Sequence, residues 1–108
     1  MAHVRSYYAA TAQAAPGHPP VAGDAAFDVC VVGAGITGCA TALELAERGF
    51  RVALVEGERV GWGASGRSGG QAIFGFGTDM GKIAAQVGPE TARRLWDVSV
   101  DALDWVRG

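Results

Sequence analysis

Apolar positions follow one another along this chain in more than one rhythm. From Phe27 to Val32, FDVCVV is almost continuously apolar and ends in glycine, which suits a strand buried on both faces of a parallel sheet. In ITGCATALELAERGF, Ile36, Ala40, Leu43 and Ala46 then recur at steps of three and four, while Glu44, Glu47 and Arg48 fall on the other side. That pattern predicts an amphipathic helix, closed by Gly49 at the left-handed position helices favour at their C-terminus. RVALVE, from Arg51 to Glu56, predicts a second strand. Strand, helix and strand within roughly thirty residues make a βαβ unit, whose crossover is right-handed.

Further along, AIFGFG at Ala72 to Gly77 is short, apolar and broken by glycine, and reads as a weak strand or an irregular loop. GPETARRLWDVSVDALDWVRG predicts a helix entered through Pro89 and Glu90, with Ala92, Leu95, Trp96, Ser99, Leu103 and Val106 along one face. Residues 1–26 lack either rhythm. They are polar, rich in alanine and punctuated by Pro16, Pro19 and Pro20, so the expectation is an extended leader, anchored by Tyr7 and Tyr8, ahead of a body formed by residues 27–108. No internal repeat is present.

Composition narrows the possible partners. At 108 residues and 49% hydrophobic content the chain is within the range of one folded domain. A net charge of -2 without a basic block argues against nucleic acid. The longest apolar run, Val29 to Ile36, is far too short to cross a bilayer, and the expectation is a cytoplasmic protein with no membrane contact. Cys30 and Cys39 lie in no CxxC or His-bearing pattern, so no metal is expected. Both are read as small packed hydrophobes, with a disulfide as the alternative in an oxidising compartment. His3 and His18 fall in the leader and carry no expected chemistry.

Gly33, Ala34, Gly35, Ile36, Thr37 and Gly38 spell a GxGxxG motif that leaves the first strand and opens the helix. Gly33 would permit the tight turn, Gly35 the approach of a diphosphate, and Gly38 close packing of helix on strand. The helix N-terminus would add free N–H groups and the positive end of its dipole. Glu56 stands at the end of the second strand, 18 residues after Gly38, where a carboxylate accepts hydrogen bonds from ribose hydroxyls and disfavours a 2′-phosphate. The competing reading is a tight turn that binds nothing, with Glu56 a solvated charge. Four features agreeing in order and spacing favour a dinucleotide, with NAD and FAD both open. The fold class that follows is α/β, a Rossmann-like βαβ unit with parallel strands in an incomplete domain.

Residues 59–71, RVGWGASGRSGGQ, hold five glycines in thirteen positions directly after the second strand. Glycine loses more freedom on folding than any other residue, so such a run is costly unless the backbone itself touches a ligand. Trp62 is read as a packing or lid residue, and Arg67 as either a partner for an anion or a solvated loop charge.

The stretch DVCVVGAGITGCATALELAERGFRVALVEGERVGWGASGRSGGQ resembles the N-terminal part of the D-amino-acid oxidase-like family of FAD-dependent oxidoreductases. SYYAATA and ARRLWDVSVDALDWVR extend the resemblance to its gamma-glutamylputrescine oxidase-like members. The resemblance covers most of the chain and is specific over residues 27–71. It implies FAD as cofactor and a small-molecule amine or amino acid as substrate. A hydride would leave the carbon next to nitrogen, water would hydrolyse the resulting imine, and oxygen or another acceptor would reoxidise the flavin. It further implies that Ala64, Ser65, Gly66 and Arg67 pass beside the diphosphate and ribityl chain, and that Ser68, Gly69, Gly70 and Gln71 approach the flavin ring. Family members often carry Asn where Ser68 stands. They are several times longer, so this chain is expected to be part of an FAD-binding domain, without a nameable catalytic residue. An NAD-dependent dehydrogenase and a non-catalytic nucleotide-binding or interaction module are the alternatives.

Overall fold

The computed structural model describes residues 5–13 and 16–108, in two compact units, Met1–Gly69 and Gly70–Gly108. In the first unit, strands β1 (Val29–Val32) and β2 (Val52–Val55) pair in parallel, from Val29 opposite Val52 to Val32 opposite Val55. Polar contacts bracket the pair. At its start, Asp28 Oδ2 accepts from the Arg51 N–H at 2.8 Å, and Asp28 Oδ1 meets Arg51 Nη2 at 3.1 Å. At its end, the Gly33 N–H donates to the Val55 carbonyl at 2.7 Å. Phe27, Asp28, Arg51 and Glu56, expected within the strands, flank them.

Helix α1 (Tyr7–Thr11) corrects the expectation of a wholly extended leader. The Ser6 Oγ accepts from the Ala9 N–H at 3.1 Å, which caps its first turn. The helix packs against a 3₁₀ turn at Ala64–Arg67, and the Tyr8 hydroxyl lies 3.8 Å from where a Cβ on Gly69 would stand.

Helix α2 (Ile36–Glu47) makes the crossover and ends through Arg48 and Gly49, the latter at φ 90°. Its packed face differs from the expected one. Of the expected residues Ala40 is half-buried, but Ile36 is 64% exposed and Leu43 and Ala46 are also exposed, whereas Gly38, Ala42 and Leu45 are half-buried. Gly38 sets this rotation: a Cβ there would stand 1.8 Å from the Gly33 carbonyl oxygen and 3.6 Å from Leu54 Cδ1. Helix α2 thus covers the face of Leu54, which in a parallel register is also the face of Val29, Val31 and Val52.

The opposite sheet face is covered only in part, contrary to the expected burial of both faces: Ala53 and Val55 are half-buried, while Cys30 and Val32 on β1 are exposed, and Leu54 on the helix side remains 37% exposed. Cys30, Ala53 and Val55 line a shallow apolar trough together with Val21, Ala25 and Phe27, and Val32 is 83% exposed. Cys30 is therefore exposed and Cys39 half-buried, both as free thiols, and the packed position expected for Cys30 is not found. The physical reason is that one helix can cover only one face of two strands.

The second unit is a helical pair preceded by a loop. No strand forms in AIFGFG. Helix α3 (Met80–Val87) is capped by Asp79, whose Oδ1 accepts from the Gly81 N–H at 2.8 Å. Gly88, at φ 85°, ends α3 and leads through Pro89 into α4 (Pro89–Arg107). Ala92 and Leu103 are buried and Leu95, Trp96 and Ser99 half-buried, while Val106, expected on that face, is 62% exposed. Phe74 meets Trp96 edge to face with ring centres 5.2 Å apart. Among the described residues, no helix is long and apolar enough to cross a membrane.

Candidate functional site

The turn between β1 and α2 is built around Ala34, which is 1% exposed. Glu56 Oε2 accepts from its N–H at 2.8 Å, and its carbonyl accepts from the Gly61 N–H at 2.9 Å. One residue of the GxGxxG motif is thereby held by the acid after β2 and by the entry to the second glycine-rich segment. The other carboxylate oxygen of Glu56 accepts from the Glu58 N–H at 3.0 Å. The Ala34 N–H first, and the Glu58 N–H after it, hold the Glu56 carboxyl below the usual carboxylate range, because both favour the ionised form.

Both glycine-rich segments use the same backbone device. Gly33 has φ 100°, and its carbonyl oxygen stands 1.8 Å from where a Cβ on Gly38 would be; Gly61 has φ 71°, and its carbonyl oxygen stands 1.9 Å from the corresponding point on Gly66. In each, a left-handed glycine reverses the chain and a second glycine five residues on accepts the close approach. Gly61 adds to the site residues expected from the sequence, and the repeated G-x-x-x-x-G spacing is the signal for it.

Ser65 joins the second segment to the first. Its Oγ accepts from the Ile36 N–H, the first of α2, at 2.9 Å. Arg67 turns onto its own loop: Nη2 donates to the Trp62 carbonyl at 3.1 Å, and the guanidinium lies 5.2 Å from the centre of the Trp62 ring. Gly33, Ala34, Gly35, Ile36, Thr37, Gly38, Glu56, Ala64, Ser65, Gly66, Arg67, Ser68 and Gly69 all belong to the first unit. Gly70 and Gln71 open the second.

The profile of the family described as FAD dependent oxidoreductase matches residues 28–108. The chain belongs to that family. FAD is the family's cofactor, and the fold is a partial Rossmann-like unit. The chain is 49% identical over 102 residues to the probable oxidoreductase OrdL of Haemophilus influenzae, covering 94% of this chain and 24% of that protein. It is 41% identical over 105 residues to the gamma-glutamylputrescine oxidoreductase of Escherichia coli, covering 97% of this chain and 25% of that protein. A shorter stretch of 45 residues is 51% identical to the aerobic glycerol-3-phosphate dehydrogenase of Staphylococcus saprophyticus, covering 42% of this chain and 8% of that protein. The chain thus spans about a quarter of the length of the first two. No solved structure matches it.

The residues present fit FAD on structural grounds. Gly35 is half-buried, and a Cβ there would stand 2.8 Å from the Ser65 oxygen, so the turn leaves no room for a side chain between the two glycine-rich segments. Ile36 and Thr37 are exposed at the N-terminus of α2, where the helix dipole favours a phosphate. Glu56 is fixed at the turn by the Ala34 N–H, which favours its ionised form, a disposition suited to accepting hydrogen bonds from ribose hydroxyls.

Proposed function

We propose that these residues are the FAD-binding part of an oxidoreductase that dehydrogenates a small amine or amino acid, in the manner of gamma-glutamylputrescine oxidase-like enzymes. The observation that carries the dinucleotide reading is the Glu56 carboxylate, held 2.8 Å from the Ala34 N–H at the glycine turn beside the start of α2. The amine class is supported by the similarity to gamma-glutamylputrescine oxidoreductase over nearly the whole chain.

In this reading, the N–H groups of the first turn of α2 that follow Ile36, whose own N–H is held by Ser65, donate to the diphosphate, and Glu56 accepts from the ribose. The 3₁₀ turn at Ala64–Arg67 presents its leading N–H groups, which have no partner within such a turn. Arg67 adds a positive charge, and Ser68 and Gly69 continue the same surface. The chemistry FAD supplies when bound is acceptance of a hydride from the carbon next to an amine nitrogen, which leaves an imine. This chain's residues bind and orient the cofactor for that step.

The test is purification of the complete protein, followed by visible absorbance and turnover of candidate amines and amino acids with a peroxide assay or an artificial electron acceptor. Stoichiometric flavin with amine turnover is expected. A protein that carries flavin but reduces it only with substrates lacking a C–N bond would overturn the amine class, and one that binds no flavin would overturn the whole reading.

A further inference from the structure

Helix α2 receives its cap from a distant part of the chain. Gly35, at the N-cap position, has no side chain to satisfy the first N–H groups, and Ser65, 29 residues beyond Ile36, supplies the acceptor instead. The contact is close on two sides, since a Cβ on Gly35 would stand 2.8 Å from the same Ser65 oxygen. The Gly61 bond to Ala34 ties down only the entry of the segment, and the Arg67 bond to Trp62 lies within it. Ser65 therefore couples the far half of the segment to α2.

We propose that Ser65 is a positioning residue of the dinucleotide site. Its hydroxyl docks the Ala64–Arg67 turn on the N-terminus of α2 before the cofactor arrives, so that two glycine-rich backbones face the diphosphate as one prebuilt surface. Having accepted from Ile36, the hydroxyl still has its own O–H to donate to a phosphate oxygen. Without the contact, the ordering of the loop would be charged against binding. The proposal rests on the dinucleotide reading above, and adds to it a reason for the glycine at position 35: that position must leave room for Ser65 as well as for a ligand.

The test compares Ser65→Ala and Ser65→Thr with the parent in the complete protein, stripped of flavin. Hydrogen–deuterium exchange of the peptide carrying Ile36 reads the contact, and FAD titration by fluorescence quenching reads its consequence. Ser65→Ala is expected to speed exchange at Ile36 and weaken FAD binding by about three- to tenfold, the scale of one hydrogen bond, with Ser65→Thr restoring both. In a thermal-melt double-mutant cycle, Gly35→Ala should cost less in the Ser65→Ala background than in the parent, because the oxygen it collides with is gone. Unchanged exchange at Ile36 overturns the contact. Faster exchange with unchanged FAD affinity overturns the positioning role and leaves the dinucleotide reading standing. A parent that binds no FAD overturns both.

Discussion

Glu56 carries two jobs at the residue scale, since the carboxylate proposed to hold the ribose also holds the glycine turn in the cofactor-free chain. Its contacts with the Ala34 and Glu58 N–H groups lower its pKa from the ordinary 4.5. Linkage then fixes the direction of the pH effect. A carboxyl whose folded-state pKa is depressed contributes stability that is fully present above its unfolded value and is lost as pH falls through the folded value. Asp28 behaves in the same way, held low by the Arg51 backbone N–H and then by its side chain, so it adds an acid dependence of its own. Glu56→Gln keeps one carbonyl acceptor and loses the charge. It is expected to lower thermal stability near neutral pH and to flatten the decline between about pH 5 and pH 3, leaving the part due to Asp28. FAD affinity should fall about tenfold, since hydrogen bonds to a charged acceptor are the stronger kind. Thermal melts of the variant and parent across that range check the first part, and flavin titration the second; parallel pH curves would mean that the carboxylate contributes nothing through its charge.

At the scale of elements, what the sequence makes legible depends on which force sets the geometry. The strands and α4 were readable because apolar spacing decides them, and the GxGxxG turn because its glycines and Glu56 stand at fixed separations. The buried face of α2 was not, because its rotation is set by a backbone contact between Gly33 and Gly38 that leaves no trace in hydropathy. Helix α1 lay hidden among alanines and prolines, though Ser6 is a cap in sequence terms, and α3 behind the glycines at 81 and 88, though Asp79 marks its start. The link from Ser65 to Ile36 spans too much sequence for any local pattern to register. Ser99 illustrates the same limit within α4. Spacing places it on the packed face, and the structure gives its hydroxyl a purpose: it donates to the Trp96 carbonyl at 2.7 Å and accepts from the Gly75 N–H at 3.0 Å, tying the preceding loop to the helix. Ser99→Ala is expected to cost about 1 kcal/mol and to speed amide exchange at Gly75, whose N–H loses its acceptor. Exchange at Gly75 equal to that of the parent would mean that the loop is held by the Phe74–Trp96 ring contact alone.

At the scale of the whole molecule, the question is how far 108 residues can sustain the proposed site. The buried hydrophobic residues among the described ones are Ala34, Ala92 and Leu103, two of them alanines. In the first unit, the parallel sheet has two strands, whose outer edges pair with no further strand among the described residues, and Cys30 and Val32 on one face are exposed. Parallel sheets are stable when both faces are covered, and an unpaired edge is a template for association. In the second unit, Val98, Trp105 and Val106 stand exposed on α4. The relatives matched over nearly the whole of this chain are about four times its length. Residues 1–108 expressed on their own are therefore expected to self-associate, to lose FAD during purification and to oxidise no amine, although the Glu56 and Ser65 contacts lie wholly within them. Size-exclusion chromatography reads the first expectation, visible absorbance the second and a peroxide assay the third. A monodisperse, yellow, active 108-residue protein would show that the partly covered sheet face and the exposed stripe on α4 need no further covering, and that the cofactor site is complete within the first unit's own backbone.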